Sequence, residues 1–421
     1  MYALVDGNCF YAACERVFRP DLKRRPVVVL SNNDGCVVAR SQEAKDLGVA
    51  MAVPYFKVAH LVRSGQLTVF SSNYELYADM SRRMMAAIGS LAPALEVYSI
   101  DECFADLSGL QQPGRLRQQG VAIRQRVAQW LGLPTCVGIA PTKTLAKFAN
   151  HLAKKHAQSF AGVVVWSDWS AAVQMRALKS EPVTEVWGIG RRLGAQLATH
   201  HIVSAWDLHQ ADSSLLRQRY GVVVERVQRE LQGCVCEGMV VEEARQQIVR
   251  SRSFAHDLIE LAPLQAAISH HVSEAAAVLR AQGSHAQLLQ LFLYGNRHGE
   301  APHQAHESMA LTSPSADTLV LNQGAQALLR RAYQKGRRYK KCGIALSGLS
   351  SATHCVQADL WTADTQRQST AIMGVLDQLR QQYGKGSVKL GSELLSDEWF
   401  MRQAHLSPCF TTRFDDLLVC S

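Results

Sequence analysis

The chain has 421 residues and carries 45 basic against 36 acidic side chains, a net charge of +9. With 47% apolar and 19% charged residues it has a globular balance, which excludes a disordered chain; no apolar run reaches the roughly 18 residues that a membrane-spanning helix needs. The opening Met1-Tyr2-Ala3-Leu4-Val5-Asp6 lacks the basic start and long apolar stretch of a secretory signal, and the eleven cysteines are scattered, so a cytoplasmic protein with reduced thiols is expected.

In chain order, residues 2–6 are a short apolar run ending in an acid, the pattern of a buried strand, and a helix is predicted from Asn8 to Val17. Residues 26–30 form a second buried strand, closed by the turn-rich Ser31-Asn32-Asn33-Asp34-Gly35. Over 74–91, Leu76, Met80, Met84, Ile88 and Leu91 share one helical face, with Asn73 placed to cap it. Residues 95–107 read as two strands meeting at Asp101-Glu102, followed by a helix over 116–131, a strand from Thr135 to Ala140 and a helix from Thr142 to Lys155. Residues 168–232 are mostly helical and a boundary is expected near 236–246. Residues 247–348 mix short strands and helices. The remaining 349–421 hold one amphipathic helix, on which Ile372, Leu376, Leu379 and Tyr383 share a face. The pattern is α+β, with helices packed on a sheet and enough chain for several domains.

Three acids stand out. Asp6 ends a buried strand, and Asp101 and Glu102 sit where two more meet, flanked by Ile100 and Phe104 with no basic residue nearby in sequence. An ionised carboxylate there is costly unless it is paired or binds a metal, and oxygen donors favour Mg²⁺. Taken alone, an Asp-Glu pair is more often an ordinary exposed turn. On the helix from Thr142 to Lys155, Lys143, Lys147 and Lys154 line one side and Leu145, Phe148 and Leu152 another; this suits an ammonium face toward an anionic ligand, or a solvated charged face. A basic strip follows at Arg330, Arg331, Lys335, Arg337, Arg338, Lys340 and Lys341, with Tyr333 and Tyr339 interleaved and no acid among them, a composition suited to phosphate backbones.

Asp6-Gly7-Asn8-Cys9-Phe10-Tyr11-Ala12 and Tyr98-Ser99-Ile100-Asp101-Glu102 together resemble the active-site signature of the Y-family translesion DNA polymerases. The resemblance continues through 26–40 and 137–147, down to Leu406-Ser407-Pro408 and Thr411-Thr412-Arg413, and is weakest at about 284–310. It is nearest to the UmuC type, the catalytic subunit of bacterial DNA polymerase V and its plasmid-borne relatives. That resemblance implies a right-hand polymerase: palm at 1–10 and 72–165, small fingers at 11–71, a helical thumb with a helix–hairpin–helix element at 166–235, a linker at 236–246, an α/β little finger at 247–348 and a tail at 349–421.

It also implies roles for residues. Asp6, Asp101 and Glu102 would be the catalytic carboxylates, holding two Mg²⁺ ions with the backbone carbonyl of Gly7. Tyr11 would be the steric gate against a 2′-hydroxyl; without the motif it reads as a core aromatic. Gln42, Lys45 and Lys154 would contact the triphosphate, and Cys36 and Val38 would roof the nascent base pair. Asn8 stands where several relatives carry an acid. Gly188 and Gly190, with Arg191 and Arg192, would hold DNA in the thumb, and the basic strip would hold it in the little finger. Gln357-Ala358-Asp359-Leu360-Trp361 resembles a sliding-clamp-binding peptide, with Gln357, Asp359, Leu360 and Trp361 as its contacts. The family further implies primer–template DNA and dNTP as substrates, a cleaved UmuD-type dimer and a RecA filament as partners, and an SOS-mutagenesis setting. The competing expectation is a catalytically silent, clamp-tethered DNA-binding scaffold, against which the intact Asp6, Asp101, Glu102 and Tyr11 speak.

Overall fold

The computed structural model describes residues 1–110, 114–240, 244–296, 303–352, 363–384 and 386–417, with only the backbone for 363–369. Two compact units divide the chain: 1–31 with 35–242 and 405–421, and 32–34 with 243–404.

The strands of the first unit are β1 (Tyr2–Gly7), β2 (Val27–Leu30), β3 (Val37–Arg40), β4 (Thr68–Ser71), β5 (Ala94–Val97), β6 (Glu102–Asp106), β7 (Thr135–Ala140) and β8 (Val163–Val165). Five of them form a sheet in the order β5-β6-β1-β7-β8, with β1 antiparallel to both β6 and β7. β1 is apolar at consecutive positions because both faces of the sheet are covered. Ala3 and Val5 pack with Cys103 and Ala105 against the helices Phe10–Val17, Tyr74–Gly89 and Arg115–Leu131. Leu4 and Phe104 pack on the opposite face against the helix Lys143–Lys155. As expected, Asn73 caps the Tyr74–Gly89 helix, its side chain accepting from the Leu76 N–H.

A smaller sheet, β3-β2-β4, has its own core of Val28, Leu30, Val37, Val58 and Leu67. Short helices between 171 and 231 gather around Leu178, Leu197, Leu208 and Leu216. They are tied to the Lys143–Lys155 helix by Glu230, whose Oε2 accepts from the Thr144 N–H at 3.0 Å and the Thr144 hydroxyl at 2.6 Å. The chain returns to this unit after residue 404: Ser71 N–H donates to the His405 carbonyl at 2.9 Å, and the Phe410 ring stacks on Phe18 at 4.7 Å.

The second unit contains β9 (Ile248–Leu258), β10 (Ser284–Tyr294), β11 (Gln304–Ser315) and β12 (Tyr339–Ser351), ordered β11-β10-β12-β9 and antiparallel throughout. The helices Leu261–Ala281 and Thr318–Ala332 cover one face, burying Leu264, Val272, Leu279, Leu321 and Leu328. The helix Ala363–Tyr383 and the segment after it are fastened to the Leu261–Ala281 helix. Arg280 makes paired contacts of 2.6 and 2.7 Å to Asp377, and the Ser273 hydroxyl donates to Glu393 at 2.7 Å. No helix among the described residues is long and apolar enough to cross a membrane, and every cysteine among them is a free thiol.

Candidate active site and nucleic-acid interface

The acids expected to carry the chemistry lie at the ends of two paired strands. Asp6 on β1 and Glu102 on β6 are cross-strand partners, and their carboxyl groups share a hydrogen bond. Asp6 is 5% exposed; burial pushes its carboxyl up to about 7 despite the Lys154 ammonium in contact with it. At Glu102 burial acts in the same direction, but the hydrogen bond with Asp6 and the Lys147 ammonium 2.7 Å away outweigh it and hold the group below the usual range. Asp6 is therefore the more readily protonated of the two.

Ser99 organises the turn that brings Asp101 alongside. Its hydroxyl accepts from the Asp101 and Glu102 N–H groups at 3.3 and 3.1 Å and donates to Asp101 Oδ1 at 2.7 Å. The Gly7 N–H in turn donates to the Asp101 carbonyl at 2.8 Å. A Cβ on Gly7 would lie 3.0 Å from the Phe10 ring and 3.6 Å from Asp101 Cβ, so bare backbone suits this approach. Among the described residues no three His, Cys, Asp or Glu side chains meet as a metal-holding group. Asp101 lies beside the Asp6–Glu102 pair, its Oδ1 held by the Ser99 hydroxyl. Lysine ammonium groups compensate the pair, Lys154 at Asp6 and Lys147 at Glu102. The donors are nonetheless all oxygens, from three carboxyl groups and the Gly7 main chain, a set that fits a hard divalent cation.

The helix Lys143–Lys155 supplies the compensating charge, and Gly138 on β7 sets how close it lies. A Cβ there would fall 2.2 Å from both the Ala146 carbonyl oxygen and the Asn150 nitrogen. Asn150 Nδ2 fixes the packing by donating to the Leu4 and Cys136 carbonyls at 3.2 and 2.8 Å. Within the lysine stripe, Lys143 departs from an ammonium face toward a ligand. Lys143 is 1% exposed, with Nζ 2.6 Å from Glu96 and above the Phe104 ring. A buried ammonium is tolerable only with such a partner, and the spacing along the helix did not show Glu96. Lys147 sits over the Tyr98 ring at 4.4 Å while it pairs with Glu102.

Gln42, Lys45 and Lys154 line one cavity of about 740 Å³, together with Asn8, Cys9 and Arg16. Cys9 has φ 51°, and this left-handed residue turns the chain from β1 into the following helix. Such a conformation at a non-glycine costs about 1 kcal/mol or more and is found where surroundings enforce it. Cys36 and Val38 do not line this cavity; Cys36 pairs with Pro54 and Val38 lies on β3, both half-buried. Tyr11 is half-buried and stacks on Tyr77 with centroids 4.4 Å apart and planes at 16°. Burial and the charge of Asp101 nearby raise its phenol above the ordinary value.

Gly188 has φ +86°, which favours glycine, and Gly190 caps the helix Arg191–Ala198, leaving Arg191 and Arg192 exposed. In the second unit Arg330, Lys335, Arg337 and Arg338 are exposed, Arg331 pairs with Glu307 at 2.7 Å, and Lys340 donates to the Ala255 carbonyl at 3.1 Å. Lys341 is half-buried on β12. Tyr339 departs from the interleaved reading: it is fully buried, because it begins β12 on the inward face and its hydroxyl accepts from the Gln334 N–H at 2.8 Å. The motif residues Gln357, Asp359, Leu360 and Trp361 lie outside the described residues.

Sequence reasoning missed Ser99, Glu96 and a buried acid, Glu15. Ser99 had a local signal, a Ser two residues before an acid at a strand junction. Glu15 had none, since its partners Tyr77 and Ser407 are 62 and 392 residues away.

Comparison with known proteins agrees with this architecture. Residues 5–151 match the impB/mucB/samB family, residues 245–360 match the C-terminal domain of that family, and residues 370–420 match a domain of unknown function (DUF4113). The chain is 41% identical to protein UmuC of Salmonella typhimurium over 99% of both chains. It is 39% identical to protein MucB of Escherichia coli over 98% of this chain and 97% of that one. DNA polymerase IV of Brucella melitensis is 28% identical over 92% of this chain and 84% of its own. Among solved structures, a Y-family DNA polymerase chimera built on Dbh superposes with TM-score 0.63 at 21% identity, covering 83% of this chain and 99% of that one. An insertion ternary complex of Dbh DNA polymerase gives 0.56 at 20% identity, over 83% and 99%. With well over half of its length matched to one family and near-complete alignment to UmuC, the chain belongs to the impB/mucB/samB family, as a UmuC-type member of the Y-family DNA polymerases.

Proposed function

We propose that the chain extends a DNA primer across template lesions, joining the primer 3′-oxygen to the α-phosphate of a dNTP with loss of pyrophosphate. The observation that carries this is the pair of buried Asp6 and half-buried Glu102, compensated by Lys154 and Lys147, beside a basic cavity lined by Gln42 and Lys45. A scaffold without catalysis leaves that costly pair without a role.

On this reading the five-stranded sheet is the palm, β2–β4 belong to the fingers, the helices after 166 form the thumb and the second unit contains the little finger. Asp6, Asp101, Glu102 and the Gly7 carbonyl would hold two Mg²⁺ ions, which when bound lower the pKa of the attacking hydroxyl and neutralise the leaving pyrophosphate. Lys154 and Lys45 line the cavity that would receive the triphosphate, and their positive charge orients and partly neutralises it. Tyr11, its ring fixed against Tyr77, fills the volume beside the sugar and acts as a gate against a 2′-hydroxyl. Cys36 and Val38 roof the base pair. Gly188, Gly190, Arg191 and Arg192 grip DNA phosphates, as does the exposed part of the 330–341 strip.

The partners proposed for the full cycle are a sliding clamp, taken by Gln357, Asp359, Leu360 and Trp361, a cleaved UmuD-type dimer and a RecA filament, in the bacterial cytoplasm. The test is single-nucleotide extension at an abasic template site by the chain with these partners, with and without Mg²⁺. Wild type should extend the primer only with the metal, and Asp101→Ala should lower the rate about 100- to 1000-fold, the scale of removing one electrostatic contributor. Extension by Asp101→Ala at the wild-type rate would remove the assignment.

A further inference from the structure

A buried series of hydrogen bonds and ring stacking runs from the 405–410 segment to the proposed nucleotide gate, all of it inside the first unit. Tyr11 stacks on Tyr77, and Tyr77, fully buried, donates its hydroxyl to Glu15 Oε1 at 2.6 Å. The Ser407 hydroxyl donates to the same oxygen at 3.0 Å. Glu15 is fully buried in the helix that carries Tyr11, and its second oxygen has no hydrogen-bond partner among the described residues. The orientation of this carboxyl group therefore rests on the Tyr77 and Ser407 hydroxyls.

Ser407 is itself held. Asn73 Nδ2 donates to the Ser407 carbonyl at 3.0 Å, to its hydroxyl at 3.1 Å and to the Pro408 carbonyl at 3.3 Å. The side-chain oxygen of Asn73 caps the helix that bears Tyr77, accepting from the Leu76 N–H at 3.2 Å. One amide thus joins the 405–410 segment to the helix under the gate. On either side, His405 and Ser71 exchange main-chain and hydroxyl contacts, and Phe410 stacks on Phe18 at the end of the Tyr11 helix. Burial pushes Glu15 up to about 7, against the two hydroxyls that favour its charged form, which marks a costly group retained in the core.

We propose that the 405–410 segment is a positioning element for sugar selection: through Ser407, Glu15 and Tyr77 it fixes the ring of Tyr11 and so sets discrimination against ribonucleotides. This assigns a role to the last part of the stretch matching a domain of unknown function. It rests on Tyr11 being the gate. A gate excludes one oxygen atom, so a ring free to tilt by a few tenths of an ångström admits it, whereas dNTP insertion needs no such exactness.

The experiment is insertion of dGTP and of GTP opposite template cytosine by the full-length chain, with accessory proteins in every arm, comparing kcat/KM for the two. Tyr11→Ala should collapse the dGTP/GTP ratio by about 100-fold. Ser407→Ala and Tyr77→Phe, each removing one hydroxyl, should lower the ratio about 5- to 10-fold, the scale of one hydrogen bond, mainly through a better KM for GTP. Ser407→Thr, which restores the hydroxyl, should recover it. In the Tyr11→Ala background, Ser407→Ala should have no further effect on the ratio. An unchanged ratio in Tyr11→Ala overturns the gate. A collapsed ratio there, with unchanged ratios in both Ser407→Ala and Tyr77→Phe, overturns the positioning role alone. Should Ser407→Ala fail to fold, Ser407→Cys, which nearly keeps the volume but donates only weakly to Glu15, carries the same decision.

Discussion

Glu15 shows how a single side chain can matter without any local signature. It stands in an amphipathic helix where a glutamate ordinarily faces water, yet it is fully buried and its carboxyl is pushed by burial from 4.5 up to about 7. Between those pH values the unfolded chain has released a proton that the folded chain retains, so this group makes stability fall as pH rises from 4.5 to 7, with no contribution to the slope below or above. Glu15→Gln should flatten that slope. The difference in unfolding free energy between variant and parent should change by roughly 3 kcal/mol across the window, read by urea melts at several pH values. Parallel curves for the two proteins would contradict the burial argument. At this scale the candidate acids stood out in the sequence, because Asp6, Asp101 and Glu102 break apolar strands and match a motif, and the fold brings them to the ends of paired strands. The state of Lys143 was not: a helical stripe distinguishes faces but does not reveal that Glu96 waits across the sheet.

At the scale of elements, the Lys143–Lys155 helix is held against the sheet by an absence of side chain. Gly138→Ala would place a methyl 2.2 Å from helix backbone, where no rotamer change can relieve the clash. The helix must move outward, taking Lys147 and Lys154 with it. We expect a loss of about 1–3 kcal/mol in stability from overpacking, together with at least a roughly tenfold fall in kcat/KM for dNTP. A variant with parental activity and melting temperature would show that the helix is not seated by this close approach. β1, β2, β6, β7 and the helices Tyr74–Gly89, Arg115–Leu131 and Lys143–Lys155 were readable from periodicity, and so was the Asn73 cap; the strands of the second unit were not, and in place of the short strands expected there β9–β12 run 11–13 residues each. The Tyr339 position was not, since a basic strip looks continuous in sequence while β12 alternates its residues between core and solvent.

At the scale of the whole molecule, the surplus of positive charge is the property most open to a solution test. Replacing exposed Arg330, Lys335, Arg337 and Arg338 with Ala should leave melting unaffected, since each is exposed, and should weaken primer–template binding without regard to sequence. The slope of log K against log salt should shrink by about 0.9 for every duplex phosphate that these side chains neutralise. An unchanged slope would place DNA elsewhere than on this strip. The division into two units was legible only in part. A boundary near 236–246 follows from composition, whereas the return of residues 405–421 to the first unit involves partners hundreds of positions apart, which no periodicity encodes.

That return has a consequence for how the molecule comes into being. A ribosome delivers Glu15 392 residues before Ser407. At roughly 5–20 residues per second, the nascent helix exists for on the order of 20–80 seconds before its last hydrogen-bond donor emerges. Until then Glu15 lacks the Ser407 hydroxyl, and under the proposed positioning role the support behind Tyr11 is complete only when residues 405–410 have left the ribosome. Under that role, a chain that has lost residues 405–410 is expected to show a lower dGTP/GTP ratio wherever it still folds. Intactness of this late segment thus bears on the accuracy of the product as well as on the packing of the first unit, whose core takes in Phe410.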